Sequence, residues 1–250
     1  DPKLFFKSRP TLRDDMVEVV TNSIQVENDE PIIGDITAPK SDEVRRRAAD
    51  TFATQSRAVT MQDYKSSVYL MPSNFGAVKR CSVYRDYNDL KRNLNIYVIS
   101  ENSDNNLVKP NQVIKNNLKT WLNSVRMTTD SVDIKDAKVL NVGIKFRAAV
   151  SRDADKQKIL KEAIEALKEK FVVHPEIGES LMVTDIFKCL KDVEGILDVL
   201  STRVTTKTGT QYAETSSRGY LSNDGRIFSV PFDTIWEIKN PDIDIEGVLI

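Results

Sequence analysis

Two stretches of this chain read alike: "YKSSVYLMPSNFGAVKRCSV" at 64–83 and "TDIFKCLKDVEGILDVLS" at 184–201. In each, apolar residues three and four apart mark one face of a helix, a glycine follows, and a strand-like run comes next. The order strand then helix also occurs twice, over 94–126 and over 142–171. A recurring α/β unit restricts the fold strongly, because each copy needs a sheet against which its helices can bury their apolar faces. The expectation is an α+β protein with a four-stranded sheet and helices packed on it, built from a weak internal duplication whose order depends on where counting starts.

Around that core, 41–206, two other segments differ in texture. Pro2, Pro10, Pro31 and Pro39 divide 1–40 into short apolar groups, which reads as an N-terminal arm or the end of an upstream domain. From Ser41 a helix is expected, with Val44, Ala48 and Phe52 on one face and Arg45, Arg46 and Arg47 as a solvated face. Residues 207–250 carry turn signals at Thr208-Gly209 and Asn223-Asp224-Gly225, and read as a C-terminal β-rich segment. Phe232, Ile235 and Trp236 give that segment more apolar surface than it can bury alone, which makes them candidate interface residues.

The most polar-looking stretch is "QSRAVTMQDYKSSVYLMP" at 55–72. Its hydroxyls, carboxylate and lysine are raw material for an active site, yet their spacing has a structural reading. Thr60 and Asp63 fit a capping box, with the hydroxyl accepting from one backbone N–H and the carboxylate from another. Val59 and Tyr64 occupy the positions of a hydrophobic staple, and Met61, Tyr64, Val68 and Met71 make an apolar stripe that stops at Pro72. Adjacent helical residues point in different directions, so Lys65 is not aimed at Ser66 or Ser67.

Beyond this helix, strands are expected at 77–87 and 93–100. A helix after Pro110-Asn111 carries Ile114, Leu118, Trp121 and Leu122. A strand follows with Val142, Ile144, Phe146, Ala148 and Val150 on one side, then helices from about Asp153 and around Val183–Leu190.

Other chemistry is hard to assemble. Of 250 residues, 36 are basic and 37 acidic, so the net charge of -1 offers no surplus for a nucleic-acid backbone. His174 is the one histidine, read as a helix cap or turn residue, and Cys81 and Cys189 are too few for a disulfide framework, as expected in a reducing compartment. Paired acids, Asp14-Asp15 and Asp242 with Asp244, lack a calcium-type loop, and the nine glycines form no phosphate cradle. No catalytic residue, no metal ligand, no cofactor and no small-molecule substrate is expected, nor a membrane span.

With these residues set out, "RAVTMQDYKSSVYLMPSNFGAVKRCSVY" and the second unit "LMVTDIFKCLKDVEGILDVLS" resemble the baseplate-J family of contractile-tail phages, nearest to the inner-ring baseplate wedge subunits of T-even-type phages. The motif positions are Arg57, Ala58, Val59, Thr60, Asp63 and Tyr64. The resemblance implies a non-enzymatic structural subunit of the virion tail, assembled in the host cytoplasm. It would associate with itself as a homodimer or in ring contacts, and bind other wedge proteins to build the ring that controls sheath contraction. It also implies that the chain is a C-terminal portion. The alternative is an α+β nucleic-acid-binding module, suggested by Tyr97 and Phe146 on predicted strands and by the Arg45–Arg47 run; the first reading expects no nucleic acid.

Overall fold

In the computed structural model the chain divides into two compact units, 1–31 and 32–250. The structure describes 57–86, 93–102, 104–151, 155–213 and 219–250, plus the helical positions Ser41, Val44, Arg45, Ala48 and Ala49, all in the second unit. The expected arm, Asp14-Asp15, Arg46, Arg47, Phe52, Asp153 and 87–92, between the first two expected strands, lie outside the described residues.

The α+β class is as expected. The four-stranded sheet occurs twice, however, one for each half of the duplication, with a third sheet of three short strands. In the first half, helix α1 (Met61–Tyr69) leads through a 3-10 turn and Gly76 into β1 (Arg80–Arg85). β1 pairs antiparallel with β2 (Asn93–Glu101), which continues through the short β3 (Leu107–Val108) into helix α2 (Gln112–Val125). Strand β4 (Ser131–Asp136) then returns parallel to β2, placing β2 at the centre.

The second half repeats this logic around β5 (Lys138–Val150), which leads into α3 (Lys156–Phe171). After the short β6 (Leu181–Met182), α4 (Val183–Lys191) passes through Gly195, at φ 95°, into β7 (Ile196–Thr206), and β7 pairs antiparallel with β5. In both halves, then, a helix, glycine and strand pair with a strand that feeds a helix. Each half buries its own cluster: Tyr64, Leu94, Ile96, Leu118 and Leu122 in the first, Ile144, Phe146, Leu167, Ile186 and Leu190 in the second.

Strand β4 was not expected, although Val132 and Ile134 alternate with Ser131, Asp133 and Lys135. It runs into β5 with only Ala137 between: the Ala137 N–H donates to Val98 O, and the Lys138 N–H to Asp233 O. One extended run therefore leaves the first sheet and enters the second, which separates the copies into two sheets.

Residues 207–250 are rich in strands, as expected, and each of those strands joins a sheet with earlier elements. A hairpin of β8 (Tyr220–Leu221) and β9 (Ile227–Ser229) pairs with β6. Strands β10 (Thr234–Glu237) and β11 (Ile245–Leu249), joined through the short helix α5 (Pro241–Asp244), both lie parallel to β5. Their backbone groups complete an edge that β5 would otherwise expose.

Candidate functional site

The 57–64 phrase begins with the helix-start geometry expected of Thr60 and Asp63. The Asp63 N–H donates to Thr60 Oγ1 at 3.1 Å, while Asp63 Oδ2 accepts from the N–H groups of Thr60 at 2.8 Å and Val59 at 3.1 Å. Partial burial pushes the Asp63 carboxyl up, but these donors outweigh it and hold the group below its ordinary value. Val59 is 53% exposed, so the staple does not cover Tyr64, and Met61 also faces outward at 43%.

The rest of the phrase joins α1 to the end of α2. Arg57 is exposed, while the fully buried Ala58 donates its N–H to Val125 O at 3.0 Å. Tyr64 is fully buried; its hydroxyl donates to Asp130 Oδ2 at 3.0 Å and accepts from the Met127 N–H at 3.3 Å. Burial is the first reason the Tyr64 phenol is pushed up to about 12, and the Asp130 carboxylate adds to it. Arg126 donates to Asp130 O, closing the corner.

The neighbouring reactive-looking groups diverge. Lys65 pairs with Glu176 at 2.8 Å. Ser66 and Ser67 donate back to the carbonyls of Gln62 and Asp63, and Ser67 O accepts from Trp121 Nε1 at 2.8 Å. The hydroxyls, the carboxylate and the ammonium thus face separate partners.

A buried polar seam lies between the two halves. Glu101, at the end of β2, sets Oε2 3.2 Å from Lys79 Nζ and Oε1 3.1 Å from His174 Nε2. His174 Nε2 is also 2.8 Å from Asn105 O, and His174 O accepts from Arg80. This corrects the reading of His174 as a helix cap or turn residue: it crosses to the other half. Burial lowers its basicity, and Glu101 opposes that without reversing it.

Across the seam, Glu237 Oε1 accepts from the Leu107 N–H at 2.8 Å and Oε2 from Asn141 Nδ2 at 3.3 Å. Burial raises the Glu237 carboxyl from 4.5 to about 6, against the Leu107 hydrogen bond and the charge of Lys239. A cleft of about 240 Å3 beside it is lined by Asn105, Phe171, His174, Glu237 and Lys239. A glutamate and a histidine in a cleft could serve acid-base chemistry. Here, though, Glu237 Oε1 and the His174 Nε2 are engaged in joining the halves, and Glu237 Oε2 is held by Asn141 within the second half.

The three candidate interface residues part company. Ile235 is fully buried in the apolar cluster of this seam, with Ile99, Leu107, Val139 and Ile177, and Trp236 is 6% exposed in the core of the second half. The segment buries them by adding β10 to β5, so the expected apolar excess at these two positions is absent. Phe232 remains 47% exposed, stacked on Tyr84 with centroids 4.3 Å apart and edge-on to Tyr97 at 5.8 Å.

Other expectations resolve similarly. Phe146 is 2% exposed, so Tyr97 and Phe146 make no joint stacking surface. Asp244 is fully buried against Tyr212 and Lys207, whereas Asp242 is exposed and pairs with Lys168. Cys81 and Cys189 are buried free thiols. Among the described residues no three His, Cys, Asp or Glu side chains group as a metal site, and no helix is long and apolar enough to cross a membrane. Glu101, Glu237, Asn141 and Lys79 were not legible as site residues in the sequence.

No family model matches this sequence, and no curated protein matches it. Among solved structures it is similar to a chain in the cryo-electron microscopy structure of the anti-feeding prophage baseplate. The two share 12% identity with a TM-score of 0.49, over 80% of this chain and 42% of that one, so this chain spans less than half the length of that neighbour. Similarity at that level bears on neither partners nor activity.

Proposed function

We propose that this chain is a non-enzymatic structural subunit of a contractile-tail baseplate. In this reading it associates with copies of itself, as a homodimer or in ring contacts, and with other wedge proteins, to build the ring that governs sheath contraction. The observation that carries the proposal is the use of 57–67, the opening of the 57–84 phrase that, with the second unit at 181–201, resembles baseplate-J proteins. Asp63 caps a helix, Tyr64 anchors Asp130, Lys65 holds Glu176, and Ser66 and Ser67 bond back to their own helix. Side chains so committed support a protein that works through its surfaces. The nucleic-acid alternative loses the pair of sheet aromatics that motivated it, because Phe146 is in the core.

Cross-linking of tail particles that contain this chain, followed by mass spectrometry, tests the reading. Exposed lysines such as Lys158, Lys161 and Lys188 are expected to link to other baseplate proteins. Links only to capsid proteins, or none to any tail protein, would contradict it. Sedimentation at micromolar concentration tests self-association: a dimer is expected, and a monomer throughout counts against it.

A further inference from the structure

In the second sheet, α3 and α4 cover one face only: Ile144, Phe146 and Ala148 of β5 share a core with Ile159, Leu167, Ile186 and Leu190. The alternate residues of β5 face the other way. On that outer face Val139 and Asn141 are buried, while Lys145 and Arg147 are exposed. The register puts Lys145 directly opposite Arg203 of β7, and Arg147 opposite Ser201 and Val248.

Two like charges facing each other across a strand pair destabilise a sheet. Glu246 offsets Lys145 at 2.7 Å, but it is shared with Lys207 at 3.2 Å. Arg147 and Arg203 have no ion-pair partner among the described residues. Lys207 also pairs with the buried Asp244 at 3.5 Å, and Asp198 lies opposite Ala149 at the far end of the strand pair, so the charges left to be matched are those of Arg147 and Arg203.

The apolar residues of the same sheet add a second feature. The register of β7 on β5 shifts twice, and the residue left over at each shift is a leucine: Leu197 at 66% exposure and Leu200 at 54%. Val248, on the other side of Arg147, is 57% exposed. Bulges at an edge strand re-aim side chains and discourage strand pairing. β7 therefore offers two leucines and Arg203 rather than a regular free edge.

We propose that the outer face of this sheet, centred on Arg147 and Arg203 and flanked by Leu200 and Val248, is the docking surface for an acidic, partly apolar face of another protein. Charge complementarity selects the acid: arginines able to form paired hydrogen bonds with carboxylates, set among apolar side chains, match the composition of protein interfaces. The exposed leucines and valine favour a protein over a polynucleotide, because a phosphate backbone gains nothing from them. The inference deepens the assembly reading and rests on it only for the expectation that the partner is another tail protein.

The test uses the full chain and a fluorescent peptide of about twelve residues with alternating Glu and Leu. Anisotropy is measured at about 50 mM and about 300 mM salt, with an oligothymidylate of equal length as competitor. Binding is expected at low salt, weaker at high salt. The double variant Arg147→Glu with Arg203→Glu should bind about tenfold or more weakly, while a peptide alternating Lys and Leu should bind that variant better than the original chain. If the variant does not fold, Arg147→Gln with Arg203→Gln serves, with an intermediate loss expected.

No peptide binding at low salt, unchanged binding by the variants, or oligothymidylate binding more tightly than the peptide would each overturn the proposal. Placement in tail particles separates the two readings. A chain found in the baseplate with this face open to solvent refutes the docking surface alone. A chain absent from tail particles, with the peptide results holding, refutes the assembly function alone.

Discussion

Replacing Glu237 by Gln should change how stability depends on pH, by an amount the seam itself sets. Glu237 is 5% exposed, and burial lifts its carboxyl from 4.5 to about 6. A raised carboxyl means that the ionised form is the one the folded state disfavours. Below about pH 4.5 the group is protonated in both folded and unfolded chains and contributes nothing to the pH dependence. As pH rises toward 6 the unfolded chain ionises first, and the folded state loses stability relative to it.

At about 1.4 kcal/mol per pH unit, the interval from 4.5 to about 6 amounts to about 2 kcal/mol, complete above that window. Gln carries no charge, so Glu237→Gln lacks this loss at every pH. Its amide oxygen can still accept from Leu107, while the hydrogen bond with Asn141 Nδ2 is put at risk, because Asn141 Oδ1 already accepts from the Ala213 N–H. That cost, about 1 kcal/mol, does not vary with pH.

The assay is urea unfolding of both proteins between pH 4 and 7.5. His174, whose burial lowers its basicity, contributes in the opposite sense, losing stability as pH falls below its ordinary value, but does so in both proteins and cancels in the comparison. The stability of the variant relative to the parent should rise by about 2 kcal/mol from pH 4 to pH 7, mostly between 4.5 and 6. A difference that stays constant across that range would refute the assignment of an ionised, poorly solvated Glu237 to the seam.

Three further substitutions probe the construction. Thr60→Ala removes the acceptor for the Asp63 N–H and should cost about 1 kcal/mol in urea unfolding; no loss would mean the cap is dispensable. Tyr64→Phe strands the buried Asp130 carboxylate and the Met127 N–H, so a loss of about 1.5–3 kcal/mol is expected, and neutrality would argue against that corner. Lys79→Met removes the ammonium 3.2 Å from the buried Glu101, and the neighbouring His174, whose basicity burial lowers, supplies no charge in its place near neutral pH. The substitution should destabilise by about 3 kcal/mol or more near neutral pH, and a stable variant would show that the pair is not needed.

The local elements were legible because their signals are local. Thr60 and Asp63 are three residues apart, and the stripe Ile114, Leu118, Leu122 reports its helix directly. The duplication, too, lies in the order of apolar periods. What could not be read was its placement in two sheets, since the one-residue link at Ala137 looks like part of a single strand. The seam was hidden for a related reason. Glu237 and Leu107 are 130 positions apart, and His174 and Glu101 are 73 apart, so no spacing rule joins them. Ile235 and Trp236 misled as interface residues because apolar content alone does not distinguish a surface to be covered by a partner from one covered by the chain's own β5.

The account depends on the polar residues of 55–72 serving structure, with function left to surfaces. A cryo-electron microscopy map of tail particles containing this chain, at a resolution that places side chains, tests this most directly. It should show the chain in the baseplate, Asp63, Tyr64 and Lys65 pointing to their separate partners, and an acidic neighbour against Arg147 and Arg203. A bound small molecule on which Asp63, Tyr64 and Lys65 converge would contradict the account.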